Sequence, residues 1–286
     1  MNKSPEPMIK KILLALDSDS DTPVALRYAI EIAQRYDAEI TALAVIDLGG
    51  IEAESRGGGI GSMYYGEKLR ESLTEETRQK AQELIREFEE LIAGSGVRHT
   101  KVVKEGVPYD RIIEDAKYHD LLVIGREPHF FYSRPKQYTK TLAAVVEDTV
   151  SPTLIVGDEY RAINRVLIAY DESHAAAQAM REFLQLQPFG TAVEVDILNV
   201  YEEDASESEL RLNLAKEYVS RYGFNVKAIS RQGREARKEI IAYAKEIQAD
   251  LVVAGAHSRS GLRKLAFGSN IDLLVEQFPA PLFLDR

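Results

Sequence analysis

The residue types most suited to holding a ligand lie between Leu251 and Ser269, in the run LVVAGAHSRSGLRKLAFGS. Apolar residues 251–254 read as a strand that ends on Gly255, a polar and basic loop follows, and Gly268-Ser269 opens a helix paced by Ile271, Leu274, Val275 and Phe278. A strand, a glycine-bearing loop and a helix start in that order suit an anion. Glycine lets backbone come close to a ligand, and the first-turn N–H groups of a helix have no partner within it. Ser269 would add a hydroxyl at the helix cap, and Arg259, Arg263 and Lys264 would add positive charge. The plainer alternative is a tight turn at Gly255 followed by an ordinary helix start. His257 stands in the same loop, where a lone histidine is more often simply solvated.

The spacing Gly255-x2-Ser258-x9-Gly268-Ser269 resembles the nucleotide loop of the universal stress protein family, G-x2-G-x9-G-[ST], with Ser258 in place of the second glycine. The strand before the loop and the closing Pro281-Leu-Phe-Leu segment match that family as well. The resemblance implies that Gly255, Ser258, Gly268, Ser269 and Asn270 hold phosphates, that Asp171 contacts the ribose or base region, and that the main chain of Val200 reads adenine. In the first half Asp17, Val45 and Gly125 match, with Thr139 near the Gly-Ser position. Both aspartates have a second reading, an Asx turn or helix cap after a strand, as DSDSDTP and DESHAAA suggest.

Several elements must position these residues, and they occur twice. Ile12 to Leu16, ending in Asp17, returns as Val166 to Tyr170, ending in Asp171. EITALAVID (from Glu39) returns as EVDILNVYE (from Glu194), and LLVIG (Leu121 to Gly125) as LVVAG (Leu251 to Gly255). Gly106 pairs with Gly233, and SPTLIV aligns with APLFL on Pro152 and Pro281. Amphipathic stretches near Thr22 to Tyr36, Glu67 to Ala93, Tyr109 to Tyr118 and Thr141 to Asp148 lie between the strands. That alternation predicts two tandem Rossmann-like domains, 1–158 and 159–286, each a doubly wound five-stranded parallel sheet of the adenine nucleotide alpha hydrolase-like kind. Ligands in such sheets sit beyond the strands' carboxyl ends, where Asp17, Asp171, Gly125 and Gly255 fall.

The copies differ in two places. The first carries a Gly-rich insertion at about 48–75, including Gly57 to Gly59, Met63, Tyr64 and Tyr65, read either as a surface loop or as a lid whose aromatics stack on a base. It is not a Walker loop, since no Gly-Lys-Ser/Thr follows. Its phosphate loop is also degraded: after Gly125 come Pro128, Phe130, Phe131, Tyr132 and Pro135, and either Tyr138-Thr139 or Thr139-Lys140 stands where Gly-Ser would be. The first half is therefore expected to bind no nucleotide or to hold one differently.

At 286 residues the chain fits two domains, and 45% hydrophobic with 29% charged residues is a globular composition. A net charge of −10 argues against a nucleic-acid or acidic-membrane binder, so an anion site must be a local basic pocket. Without cysteine there is no disulfide, thiolate metal site or thiol nucleophile. The start MNKSPEPMIKK lacks a signal-peptide apolar run and no later run approaches a membrane span, which reads as a cytoplasmic soluble protein. No histidine cluster at metal spacing and no Ser-His-Asp set is present, so no metal or catalytic residue is assigned.

The resemblance implies a stress-response sensor or regulator that binds ATP, ADP or AMP, chiefly in the second half, with any Mg brought by the phosphates. It also implies halves paired through their last strands, a homodimer of chains, and a regulatory protein that reads the bound state. The rival readings are a slow ATPase or phosphoryl-transfer enzyme using the same pocket, and an interaction module without nucleotide.

Overall fold

A computed structural model of the chain describes residues 9–17, 21–48, 51, 62–126, 141–203, 205–256, 278 and 280–286. The first half runs β1 (Lys11–Leu16), α1 (Thr22–Tyr36), β2 (Glu39–Asp47), α2 (Ser62–Ile92), β3 (Arg98–Gly106), α3 (Pro108–Ala116), β4 (Leu121–Gly125), α4 (Thr141–Asp148) and β5 (Thr153–Val156). The second continues β6 (Arg165–Ala169), α5 (His174–Leu186), β7 (Glu194–Tyr201), α6 (Ala205–Ser220), β8 (Asn225–Gln232), α7 (Ala236–Glu246), β9 (Leu251–Gly255) and β10 (Leu282–Asp285). No described helix is long and apolar enough to cross a membrane.

All ten strands form one sheet, in the order β3-β2-β1-β4-β5-β10-β9-β6-β7-β8. Pairing is parallel within each half, as the expected doubly wound arrangement requires, and antiparallel only where β5 meets β10. Registers repeat with the sequence: Lys11 faces Glu39 as Arg165 faces Glu194, and Ile12 faces Leu121 as Val166 faces Leu251. The apolar runs of β1, β4 and β5 are buried along nearly their whole length because helices cover both faces. β3, at one outer edge, is mostly exposed. The strand-to-strand joint therefore covers the edges of β5 and β10, while β3 and β8 remain outermost.

Helix ends follow local chemistry. Pro23 stands in the first turn of α1, where its missing N–H costs nothing, and Asp37 closes α1 in a left-handed conformation with its N–H on the Ala33 carbonyl. Ser173 caps α5 by accepting from Ala176 N–H at 3.2 Å, and Gln187 repeats the left-handed close on the Phe183 carbonyl. α2 starts before the expected Glu67, at Ser62, and its 31 residues run to about twice the 16 of α6. Within the insertion, Ile51 and Leu73 form a small apolar cluster with Leu48, apart from the main core. The remainder of the Gly-rich segment, 49–50 and 52–61, and the side chains of Met63, Tyr64 and Tyr65 lie outside what the structure describes.

The joint between halves is apolar at its centre. Leu282, Phe283 and Leu284 face Ile155, Leu154 and Thr153, and the Phe283 ring meets Phe183 edge-on at 5.6 Å. Around it, Tyr28 of α1 donates to the Arg161 carbonyl at 2.8 Å, and burial pushes its hydroxyl up to about 12. Tyr36 donates to the Gln187 carbonyl, and Arg126 donates to that of Ala280 at 2.8 Å. The guanidinium of Arg27 lies 3.4 Å from the Tyr160 ring centre.

Truncating Phe283, which is fully buried, is expected to cost about 3–5 kcal/mol in urea unfolding for Phe283→Ala. Asp285 stands where the first half has Val156 and is 5% exposed. Burial pushes its carboxyl from 3.8 to about 6, the Glu182 carboxylate adds to the rise, and the Arg286 backbone and Gln178 side chain oppose it. The folded chain thus keeps a proton that the unfolded chain has lost, so this contribution to stability is full below 3.8 and is lost as pH rises through about 6. Asp285→Asn is expected to be the more stable protein at pH 8, by up to about 3 kcal/mol, with the gap closing toward pH 4; thermal unfolding across that range measures it.

Candidate functional site

In both halves the strand order leaves a switch point between the first and fourth strands, β1 and β4 or β6 and β9. Crossovers diverge there, and the carboxyl ends of the strands border a crevice. What fills the two crevices differs.

In the second half a cleft of about 420 Å³ opens at the ends of β6, β7 and β8. This is a normal size for a small-molecule site, for which about 300–1,000 Å³ is common. Leu198, Val200, Ala236 and Ile240 supply its apolar lining, Tyr170 and Tyr201 two aromatic rings, and Asp171, Asn199 and Gly233 polar groups. Asp171 follows β6 directly, and its Oδ1 accepts from Ser173 N–H at 3.0 Å, which makes the Asx turn that sets up the cap of α5. The chain passes through Glu172 with φ at 64°, an uncommon conformation for a residue with a side chain.

Beneath the cleft the backbone is held by a closed polar set. Tyr170 N–H donates to the Leu198 carbonyl at 2.9 Å, and Asn199 Nδ2 returns a bond to the Tyr170 carbonyl at 2.7 Å. Ser208 of α6 then donates to Asn199 Oδ1 at 2.7 Å and meets the Ser230 hydroxyl at 2.8 Å. Burial pushes the Tyr170 hydroxyl up, Glu172 and Asp171 push it further, and Arg211 pulls it back.

The corresponding residues of the first half are shut in. Asp17 and Val45 are fully buried, and the Thr22 hydroxyl donates to Asp17 Oδ1 at 3.0 Å. A pocket of about 180 Å³ does reach Asp17, but it lies between α1 and α2, lined by Leu26, Lys80, Leu84 and Phe88.

At the switch point itself Arg126, the residue after Gly125, donates its N–H to Asp21 Oδ2 at 2.6 Å. A Cβ on Gly125 would stand 2.2 Å from that carboxylate. The chain's own anion thus occupies the N–H that a phosphate would seek. In the second half the matching approach is made by helix backbone instead: a Cβ on Gly255 would lie 2.4 Å from the Ala175 carbonyl carbon and 2.5 Å from Ala176 N. Ala256 N–H, the counterpart of Arg126 N–H, donates to the Asp285 carbonyl at 2.6 Å.

Of the expected site residues, Asp171 and Val200 therefore meet at one open cleft, and Gly255 lies beside it against α5. Ser258, Gly268, Ser269 and Asn270, the basic loop residues, and Thr139 with Phe130, Phe131 and Tyr132 lie outside the described residues. Phe278, the last of the expected helical apolar positions, is buried but stands in no helix. Sequence reasoning missed Asp21, whose role depends on a glycine far along the chain, and Tyr170 and Tyr201, which replace Leu16 and Ile46 of the first copy. Glu202, Glu203 and Glu207 line the cleft together with Arg211.

These features define a duplicated doubly wound α/β protein whose described residues leave a cleft open in the second half. The universal stress protein family model matches residues 8–157 and again 162–286. The chain belongs to that family. A universal stress protein of Synechocystis is 23% identical over 290 residues, spanning 97% of this chain and all of that one. One from Methanocaldococcus jannaschii is 32% identical over 126 residues, 42% of this chain and 66% of its own length. Among solved structures, a universal stress protein from Archaeoglobus fulgidus superimposes with a TM-score of 0.69 at 23% identity, covering 96% of each chain; it shares the fold.

The contact at Gly255 gives a sharp expectation. Gly255→Ala should displace the start of α5 and lower the thermal midpoint by several degrees. Gly157→Ala, whose added carbon would have its nearest neighbour at 3.6 Å, should leave the midpoint unchanged.

Proposed function

We propose that the chain binds ATP or a related adenine nucleotide, such as ADP or AMP, in its second half and acts as a sensor or regulator in a stress response. The observation that carries this reading is the contrast between copies: Asp171 and Val200 line an open cleft, whereas Asp17 and Val45 are fully buried. The open cleft suits an adenosine. Tyrosine rings and aliphatic side chains offer flat apolar surface to a base, and carboxylates accept hydrogen bonds from sugar hydroxyls or an exocyclic amine. Phosphates would extend from there toward the basic loop after Gly255, with any Mg held by the phosphates themselves. Family membership supports the same reading.

We take the role to be binding rather than turnover, since none of the described cleft residues stands out as a base for an attacking water. The open cleft of the second half would hold one nucleotide per chain, available to a regulatory protein.

Calorimetric titration of ATP into the purified chain is expected to saturate at one site. Asp171→Ala should weaken it at least tenfold, while Asp17→Ala changes the protein's stability but not the binding. Saturation at two sites, or none with ATP, ADP or AMP, would overturn the reading.

A further inference from the structure

The α6 side of the open cleft carries a charge arrangement that the proposed function does not use. Arg211 of α6 lines the cleft, and its Nε pairs at 2.9 Å with Glu172, the residue after the lining Asp171. The same guanidinium pairs with Glu207 one turn earlier on its own helix. Glu172 belongs to the turn after β6, so this ion pair ties that turn to α6. Glu202, Glu203 and Glu207 line the same wall, and Asp171 lies at its foot. The remaining lining cation, Arg234, is exposed on the β8 side.

Two features that could draw a phosphate to this wall are thereby offset. The guanidinium already faces two carboxylates, and the positive end of the α6 dipole has Glu207 in its first turn. Carboxylates outnumber cations in the lining, and the Tyr170 hydroxyl, pushed up first by burial, is pushed further by Glu172 and Asp171 and pulled back by Arg211.

We propose that Glu172, Glu207 and Arg211 form a charge filter on the α6 side, which accepts the sugar and base of a nucleotide and rejects a phosphate placed there. The filter rests on the nucleotide reading above and deepens it in two ways. It fixes the direction of the ligand, with the 5′-phosphates away from α6. It also selects against nucleotides that carry a second phosphate on the ribose 2′ or 3′ oxygen, because that group would enter the acidic wall where Arg211 is already held by two carboxylates. Arg211 acts here as a specificity-determining residue through what already holds it.

The test compares isomers with two phosphates each: ADP against adenosine 2′,5′-bisphosphate and adenosine 3′,5′-bisphosphate, by calorimetry on the full chain. The filter predicts that ADP binds at least tenfold tighter than either bisphosphate, with the ratio shrinking as salt rises from about 0.05 to 0.5 M. Opposite shifts are expected from opposite charge changes. Glu172→Gln with Glu207→Gln should compress the ratio severalfold by releasing Arg211, and Arg211→Gln should widen it. A purely structural role for these residues would move ADP and its isomers together. Bisphosphates binding as tightly as ADP, or a ratio unmoved by the glutamate changes, would overturn the filter. Absence of binding by ADP itself would overturn the parent reading and the filter with it.

Discussion

A short antiparallel joint holds this molecule together. Each half closes its own parallel sheet on one side with β3 or β8 and would leave β5 or β10 as a bare edge of unpaired N–H and C=O groups. Pairing those two strands satisfies both edges at once, and burying Leu154 and Phe283 at the contact makes the pairing apolar as well. The surrounding polar contacts, Tyr28 with Arg161 and Arg126 with Ala280, set the angle of one half on the other. Because the joint runs through the sheet and not through surface loops, the two cores meet along a continuous layer of strands.

Much of this was legible in the sequence, since repetition and period are local signals. β2, β4, β9, α1 and α4 coincide with the stretches that apolar runs and amphipathic spacing mark out. The repeat even carries strand register, with Glu39 and Glu194 facing matching partners. β3 and β8 were less legible because edge strands lack a continuous apolar run. α2 begins earlier than expected, where SMYYGEKL gives little periodic signal.

The site was legible in part, for a physical reason. Asp171 and Val200 sit at strand ends, which the fold rule locates from sequence alone. The groups that decide whether a crevice is open do not. Asp21 reaches the N–H after Gly125 only because that glycine, far along the chain, leaves room for its carboxylate. Glu203, Glu207 and Arg211 look like an ordinary charged helix start until the turn after β6 is brought against them. A glycine that seemed to invite a ligand, Gly255, is required first by the chain itself, since α5 passes where its side chain would be.

The antiparallel direction of the joint has a consequence for recognition. It turns the carboxyl ends of β6–β9 toward one rim of the sheet and those of β1–β4 toward the opposite rim. The carboxyl-end crevices of the two copies accordingly face opposite rims. A protein that settles over the rim of the open crevice would rest, in the same footprint, on the amino ends of the other copy's strands, so its docking surface must complement two unlike faces and not a repeated one.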